Sequence, residues 1–172
     1  MKKASFLLLL TLALAAGVLS GCGAETQENP MTPEERTQLY RTAIESARDQ
    51  DTNDAYGIVT SPEDDLAEIV FEMLGVEEGD MSAYALSVSP MNVKAYAVAA
   101  IYPAAGKEDA VQEGLDAFVE NRKASFEQYL MDQYDIADSA RLETLDDGTV
   151  LLVMCPDQDA VFDAIRTSIE AG

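Results

Sequence analysis

Apolar positions along the chain follow two periods, and the switches between them predict the elements. From Lys107 to Leu130, Val111, Leu115, Phe118, Val119, Phe126 and Tyr129 recur at helical spacing and predict the longest helix. Thr32-Pro33-Glu34-Glu35 places a capping threonine, a proline at the first helical position and a glutamate that reaches back, so a helix is expected from there to about Arg48. Its apolar content is thin. Asp49 to Gly57 is expected as an acidic loop. Ser61-Pro62-Glu63-Asp64 repeats the start signal, Leu66, Ile69, Val70, Met73 and Leu74 supply a stripe, and Gly75 a C-cap.

Strand patterns fill the remainder. Tyr84, Leu86 and Val88 alternate with small residues, Ser89 to Asn92 is a turn, Val93 to Tyr102 is strand-like, and Pro103 ends it. A second hairpin runs from Arg141 to Leu145, turns at Asp146-Asp147-Gly148, and returns from Thr149 to Met154. Pro156 and Asp157 open a last helix with the stripe Val161, Phe162, Ile165 and Ile169. The order from Met81 is therefore strand-strand-helix, twice, with no shared residue pattern between the halves. The expected fold is α+β in two layers: a four-stranded antiparallel sheet made of two β-hairpins, with helices packed on one face and N-terminal helices before it.

The first residues follow neither period. Lys2 and Lys3, the apolar run Phe6 to Val18, and the compact residues Leu19, Ser20 and Gly21 have the three-part order of a secretory signal peptide. The run is about 13 residues, short of the roughly 20 a spanning helix needs. Leu19-Ser20-Gly21-Cys22 resembles the lipobox of bacterial lipoproteins. That resemblance implies cleavage before Cys22 and a diacylglycerol on its thiol, with the amino group a second acylation point; two or more chains hold a protein on a membrane lastingly. The expected organisation is a lipoprotein signal peptide over 1–21, lipidated Cys22 and a tether over 22–32, a helix and acidic loop over 33–60, and an α+β domain over 61–172. The ten residues after Cys22 reach at most about 35 Å.

Charge and inventory then narrow the chemistry. Removing residues 1–21 takes away Lys2 and Lys3 and no acid, which moves the net charge from −21 to −23. Such a surface repels phosphate backbones, so nucleic acid is not an expected partner. With Cys22 lipidated, Cys155 has no disulfide partner; at the end of Val150 to Met154 it is expected as a buried, inert thiol. The sequence contains no histidine, which removes Ser-His-Asp and Cys-His catalysis and the main zinc ligand. There is no Gly-rich phosphate loop, and no cofactor or metal is expected. Asp49, Asp51 and Asn53 fit the start of a calcium loop, but Asp54 and Thr60 stand where that loop needs glycine and glutamate.

Arg122 is the one candidate anchor for a ligand or partner. It lies on the apolar stripe of the long helix between Phe118 or Val119 and Phe126, where its stem packs and its guanidinium either snorkels, pairs with an acid, or holds a carboxylate. No catalytic constellation stands out.

From about Ser61 onward the chain resembles a family of small lipoproteins of Gram-positive bacteria, domain of unknown function 4358. The resemblance rests on the lipobox, on "YALSVSPMNVKAYAVAAIYP", on the long helix with Arg122, Phe126 and Tyr129, and on "TVLLVMCPD". It implies a lipid-anchored domain on the outer face of the cytoplasmic membrane and supplies no activity. The expected function is a non-enzymatic binding or envelope-assembly module for an envelope protein or a small ligand. The alternatives are a carboxylate- or Ser/Lys-dependent hydrolase of the cell envelope and a small solute-binding component.

Overall fold

The structure, a computed structural model, describes residues 31–172. The expected signal peptide, the lipobox and Cys22 lie outside the described residues. Among those described, six α-helices and four strands follow the order α1 (Pro33–Ser46), α2 (Gln50–Ala55), α3 (Ala67–Leu74), β1 (Met81–Val88), β2 (Ala97–Pro103), α4 (Glu108–Phe126), α5 (Met131–Asp138), β3 (Arg141–Thr144), β4 (Val150–Met154) and α6 (Gln158–Glu170). All pairings are antiparallel and the sheet order is β1-β2-β4-β3. The two hairpins thus join through β2 and β4, with Ala99 opposite Leu86 on one side and Leu152 on the other. The fold is α+β with the four-stranded antiparallel sheet expected from the sequence.

The layering differs from expectation. Tyr84, Leu86, Ala97, Ala99, Ile101, Leu152 and Met154 face α3, α4 and α5, packing with Val70, Leu74, Val111, Leu115, Phe118 and Phe126. The alternate residues Ala83, Ala85, Val98, Ala100, Leu151 and Val153 face a second layer, formed by Tyr40, Ala43 and Ile44 of α1 and Phe162, Ile165 and Ile169 of α6. Helices cover both faces, so there are three layers rather than two. The reason is that the central strands are apolar on both sides: every residue of β4 is buried. Residues 33–60, expected as a separate helix and loop, are built into the same compact unit, Met31–Gly172, through this second layer.

Local chemistry explains the remaining departures. α1 begins with the capping box read from the sequence: the Glu35 backbone N–H donates to Thr32 Oγ1, and the Thr32 N–H donates to Glu35 Oε2. The expected acidic loop contains α2 because the Asp49 carboxylate accepts from the Thr52 N–H at 2.7 Å and caps six residues. Ser61 to Asp64 does not start a helix. The Asp64 carboxylate accepts from the Thr60 and Ser61 N–H groups within a turn, and α3 starts only at Ala67. Leu66 and Ile69 consequently lie outside the buried stripe, 44% and 48% exposed. β2 starts at Ala97 because the Gln133 side chain takes the Ala95 N–H. The long helix stops at Phe126, and α5 is a separate helix that the sequence pattern did not separate.

Gly75 ends α3 at φ 68°, with Val76 N–H donating to the Phe71 carbonyl. There α3 meets α4 backbone to backbone: a Cβ on Gly114 would lie 2.5 Å from the Gly75 carbonyl oxygen. Glycine in a helix interior ordinarily costs about 1 kcal/mol against alanine. Here the sign inverts. Gly114→Ala is expected to lower stability by about 1–3 kcal/mol, while Gly57→Ala, with open space around it, changes it by about 0.5 kcal/mol or less. Denaturant unfolding of both variants checks this; a stabilised Gly114→Ala would contradict the contact.

Candidate functional site

At the end of the sheet where β1 stops, β2 starts and β4 stops, the helices of the two faces leave a cleft of about 440 Å³. Ala95, Tyr96 and Cys155 line it from the strand ends; Ala47, Arg48, Asp49, Thr52 and Tyr56 from the α1–α2 corner; Gln133 and Ile136 from α5; and Pro156, Asp157 and Val161 from the start of α6. Lys94 lies on the exposed β1–β2 connection. The volume suits a small molecule.

Arg48 organises one wall. Its Nε and Nη2 donate to Asn53 Oδ1, Nη2 also to the Tyr56 carbonyl, and Nη1 to Ser87 Oγ and the Tyr96 hydroxyl at 2.8 and 2.7 Å. These acceptors are neutral, and they tie α2 and the loop after it to β1 and to the residue before β2. The Tyr56 and Tyr96 rings stack beside the guanidinium, centroids 3.9 Å apart and 11° from parallel. Burial pushes the Tyr96 hydroxyl above its ordinary pKa, against the opposing pull of Arg48.

The other ionisable groups divide into committed and free. Asp49 is spent on the Thr52 N–H, and hydrogen bonding by Thr52 holds its carboxyl below the ordinary value. Asp157 is the one non-glycine residue with positive φ among those described, at 57°, and its side chain makes no capping bond to α6. The left-handed turn aims the chain from β4 into α6 beside the cleft. Burial, with Asp157 nearby, pushes the Cys155 thiol up to about 11. It is protonated at neutral pH and is not a nucleophile. Among the described lysines, Lys107 pairs with Asp80, and Lys123 with Glu120 and Asp138.

Arg122, singled out from the sequence, is not part of this cleft. It is half-buried on α4, its guanidinium 5.3 Å from the Phe118 ring centroid, and desolvation lowers its pKa. No acid among the described residues pairs with it. Asp49 and Asn53 of the calcium-like spacing act as a helix cap and as an Arg48 acceptor. Sequence reasoning missed Arg48, Tyr56 and Tyr96. The signal available was an arginine just past a helix end, followed eight residues later by a tyrosine.

A four-stranded antiparallel sheet between two helical layers, with a cleft at one end of the strands, defines a small α+β domain. The chain belongs to the family described as domain of unknown function (DUF4358), whose model matches residues 57–155. The match holds the sheet, α3 to α5 and Cys155, and leaves out α1, α6 and the Arg48 side of the cleft. No curated protein and no solved structure matches the chain.

Cys155 gives a prediction with a definite sign. Its thiol binds a proton more tightly in the folded chain, with a pKa of about 11, than unfolded at about 8.5. The resulting stability is complete below about pH 8.5 and is lost as pH rises through about 11. In the Cys22→Ala variant over residues 22–172, a thiol reagent at pH 8 should label Cys155 only at the unfolding rate, and urea midpoints should fall above about pH 9. Rapid labelling of the native chain contradicts the burial.

Proposed function

We propose that the mature protein is anchored through lipid on Cys22 to the outer face of the cytoplasmic membrane of a Gram-positive-type bacterium, and that it is a non-enzymatic binding module. The observation that carries the binding reading is the cleft, with Tyr56 and Tyr96 fixed by Arg48 before any ligand arrives. A pre-formed aromatic wall stabilises a complex because its side-chain order costs nothing further on binding. Lys94 and Asp157 supply one charge of each sign beside Arg48 and Asp49, whose hydrogen bonds are committed within the fold. The chemistry best suited is a small molecule with a flat or apolar body and polar groups at its edge.

Position supports the same reading. The chain enters the described domain at Pro33, the start of α1, and the cleft lies at the other end of that helix. Fourteen residues of helix span about 21 Å, which separates the cleft from Pro33 within the described domain. Among the described residues no helix is long and apolar enough to cross a membrane.

Two measurements test the two halves of the proposal. Cys22→Ala should move the protein from the membrane fraction to the soluble fraction, and a membrane-bound variant would refute the anchor. Cell-wall and culture extracts added to isotope-labelled mature protein should shift the resonances of Tyr56, Lys94, Tyr96 and Gln133 together. Tyr56→Ala should lose those shifts with the melting temperature within a few degrees of the parent, since about 1 kcal/mol moves a domain of this size by about 2–4 °C. Extracts that leave the cleft resonances untouched count against a small-molecule ligand.

A further inference from the structure

β1 is an edge strand whose outer side is only partly covered. Leu86 exchanges both backbone bonds with Val59, at 2.7 and 2.9 Å, so its N–H and C=O point away from β2. Alternation gives Tyr84 the same orientation, and its N–H donates to Thr37 Oγ1 at 3.3 Å. Toward Ser82 the edge opens into a groove of about 720 Å³ between the first half of α1 and the turns at Ser61-Pro62 and Glu78-Gly79. The opposite edge is handled differently: β3 has four residues and carries Arg141 and Glu143, the short, charged form that discourages pairing. β1 has eight residues and no charge, and its pairing with β2 is irregular only between Met81 and Ala83.

Tyr84 lines this groove and is 6% exposed. Its hydroxyl is the one buried side-chain polar atom among the described residues without a hydrogen-bond partner. An orphaned hydroxyl is costly, and natural structures keep few of them. Burial, with the charges of Glu78, Asp64 and Glu63 adding to it, pushes its pKa up to about 12. Glu34 lines the groove as well, and Arg41 is its only cation.

We propose that this groove takes an extended, lysine- or arginine-bearing segment of another protein, which adds to β1 as a further strand. The segment's backbone bonds to the Tyr84 carbonyl, and a cationic side chain donates to the Tyr84 hydroxyl among the three carboxylates. Charge selects this occupant over the alternatives. A second copy of the chain brings a net charge of −21 to an acidic groove, and residues 23–32 carry Glu25 and Glu28 with no cation. The groove is separate from the cleft: Pro33 and Glu34 line one and Ala47 and Arg48 the other, at opposite ends of α1. Failure at either site therefore leaves the other reading standing.

The test titrates isotope-labelled mature chain (Cys22→Ala) with a synthetic octapeptide of alternating lysine and threonine. Shifts should concentrate at Thr37, Ser82 and Tyr84, and affinity should fall about tenfold from low to high salt. Tyr84→Phe should weaken binding several-fold without lowering the melting temperature, because the hydroxyl has no partner to lose in the free protein. Peptide N-methylated at alternate residues should not bind. The proposal is overturned by an N-methylated or glutamate-for-lysine peptide that binds as well, by shifts located elsewhere, or by no binding at millimolar peptide.

Discussion

The sheet is apolar on both faces, and every other feature answers to that constraint. β2 and β4 sit in its centre, and Ala97 to Ile101 and Val150 to Met154 are buried without alternation. An antiparallel sheet with one wet face needs a single helical layer; this one needs two. The second layer is not an ornament. Tyr40, Ile44, Phe162 and Ile165 are fully buried in it, and at about 1.5–3 kcal/mol each their burial matches the whole net stability of a typical domain. Small residues set the distance: alanine at 97, 99 and 100 on β2, and Gly75 against Gly114, let helices approach strands and each other closely.

α1 carries the functional consequence. It lies across the second face as a strut, fixed at both ends. Near its start, Arg36 pairs with Asp147, lies over the Tyr102 ring and reaches the Tyr40 hydroxyl, which bonds Thr149 in the β3–β4 hairpin. Just beyond its end, Arg48 holds α2 against β1 and Tyr96. The cleft and the β1 groove are both completed by this helix, at opposite ends. Because the family match begins at residue 57, the elements that complete both hollows come from outside it.

Much of this architecture was legible. The Thr32 capping box, the two hairpins, Gly75 and the last helix were each written in residues that act locally, over a few positions. The missing layer was legible too, in principle: "VLLVM" and "AVAAI" are continuous apolar runs, the mark of a strand buried on both sides. The expectation of helices on one face made no use of that mark. α2 and α5 were missed because short helices hold few apolar residues; one is set by Asp49, the other is tied by Gln133 to a distant backbone N–H. Arg122 drew notice through its spacing on a helix, whereas Arg48 acts through Ser87 and Tyr96, some forty residues away. Spacing cannot display a contact of that range.

The way Arg48 is held decides what it can contribute. All five of its N–H donors point to neutral oxygens already built into the fold. A guanidinium so committed has no donor left for a ligand, and its planar fork reaches partners a lysine could not reach together. It is therefore a positioning residue: its bonds fix the Tyr96 hydroxyl and the Tyr56 backbone, and the two rings stack where those bonds leave them. Under the proposed binding reading, recognition falls to the groups the fold leaves free, the face of Tyr56 and the charges of Lys94 and Asp157. A wall ordered before binding and a few uncommitted charges at its edge favour selectivity by shape first and by charge second.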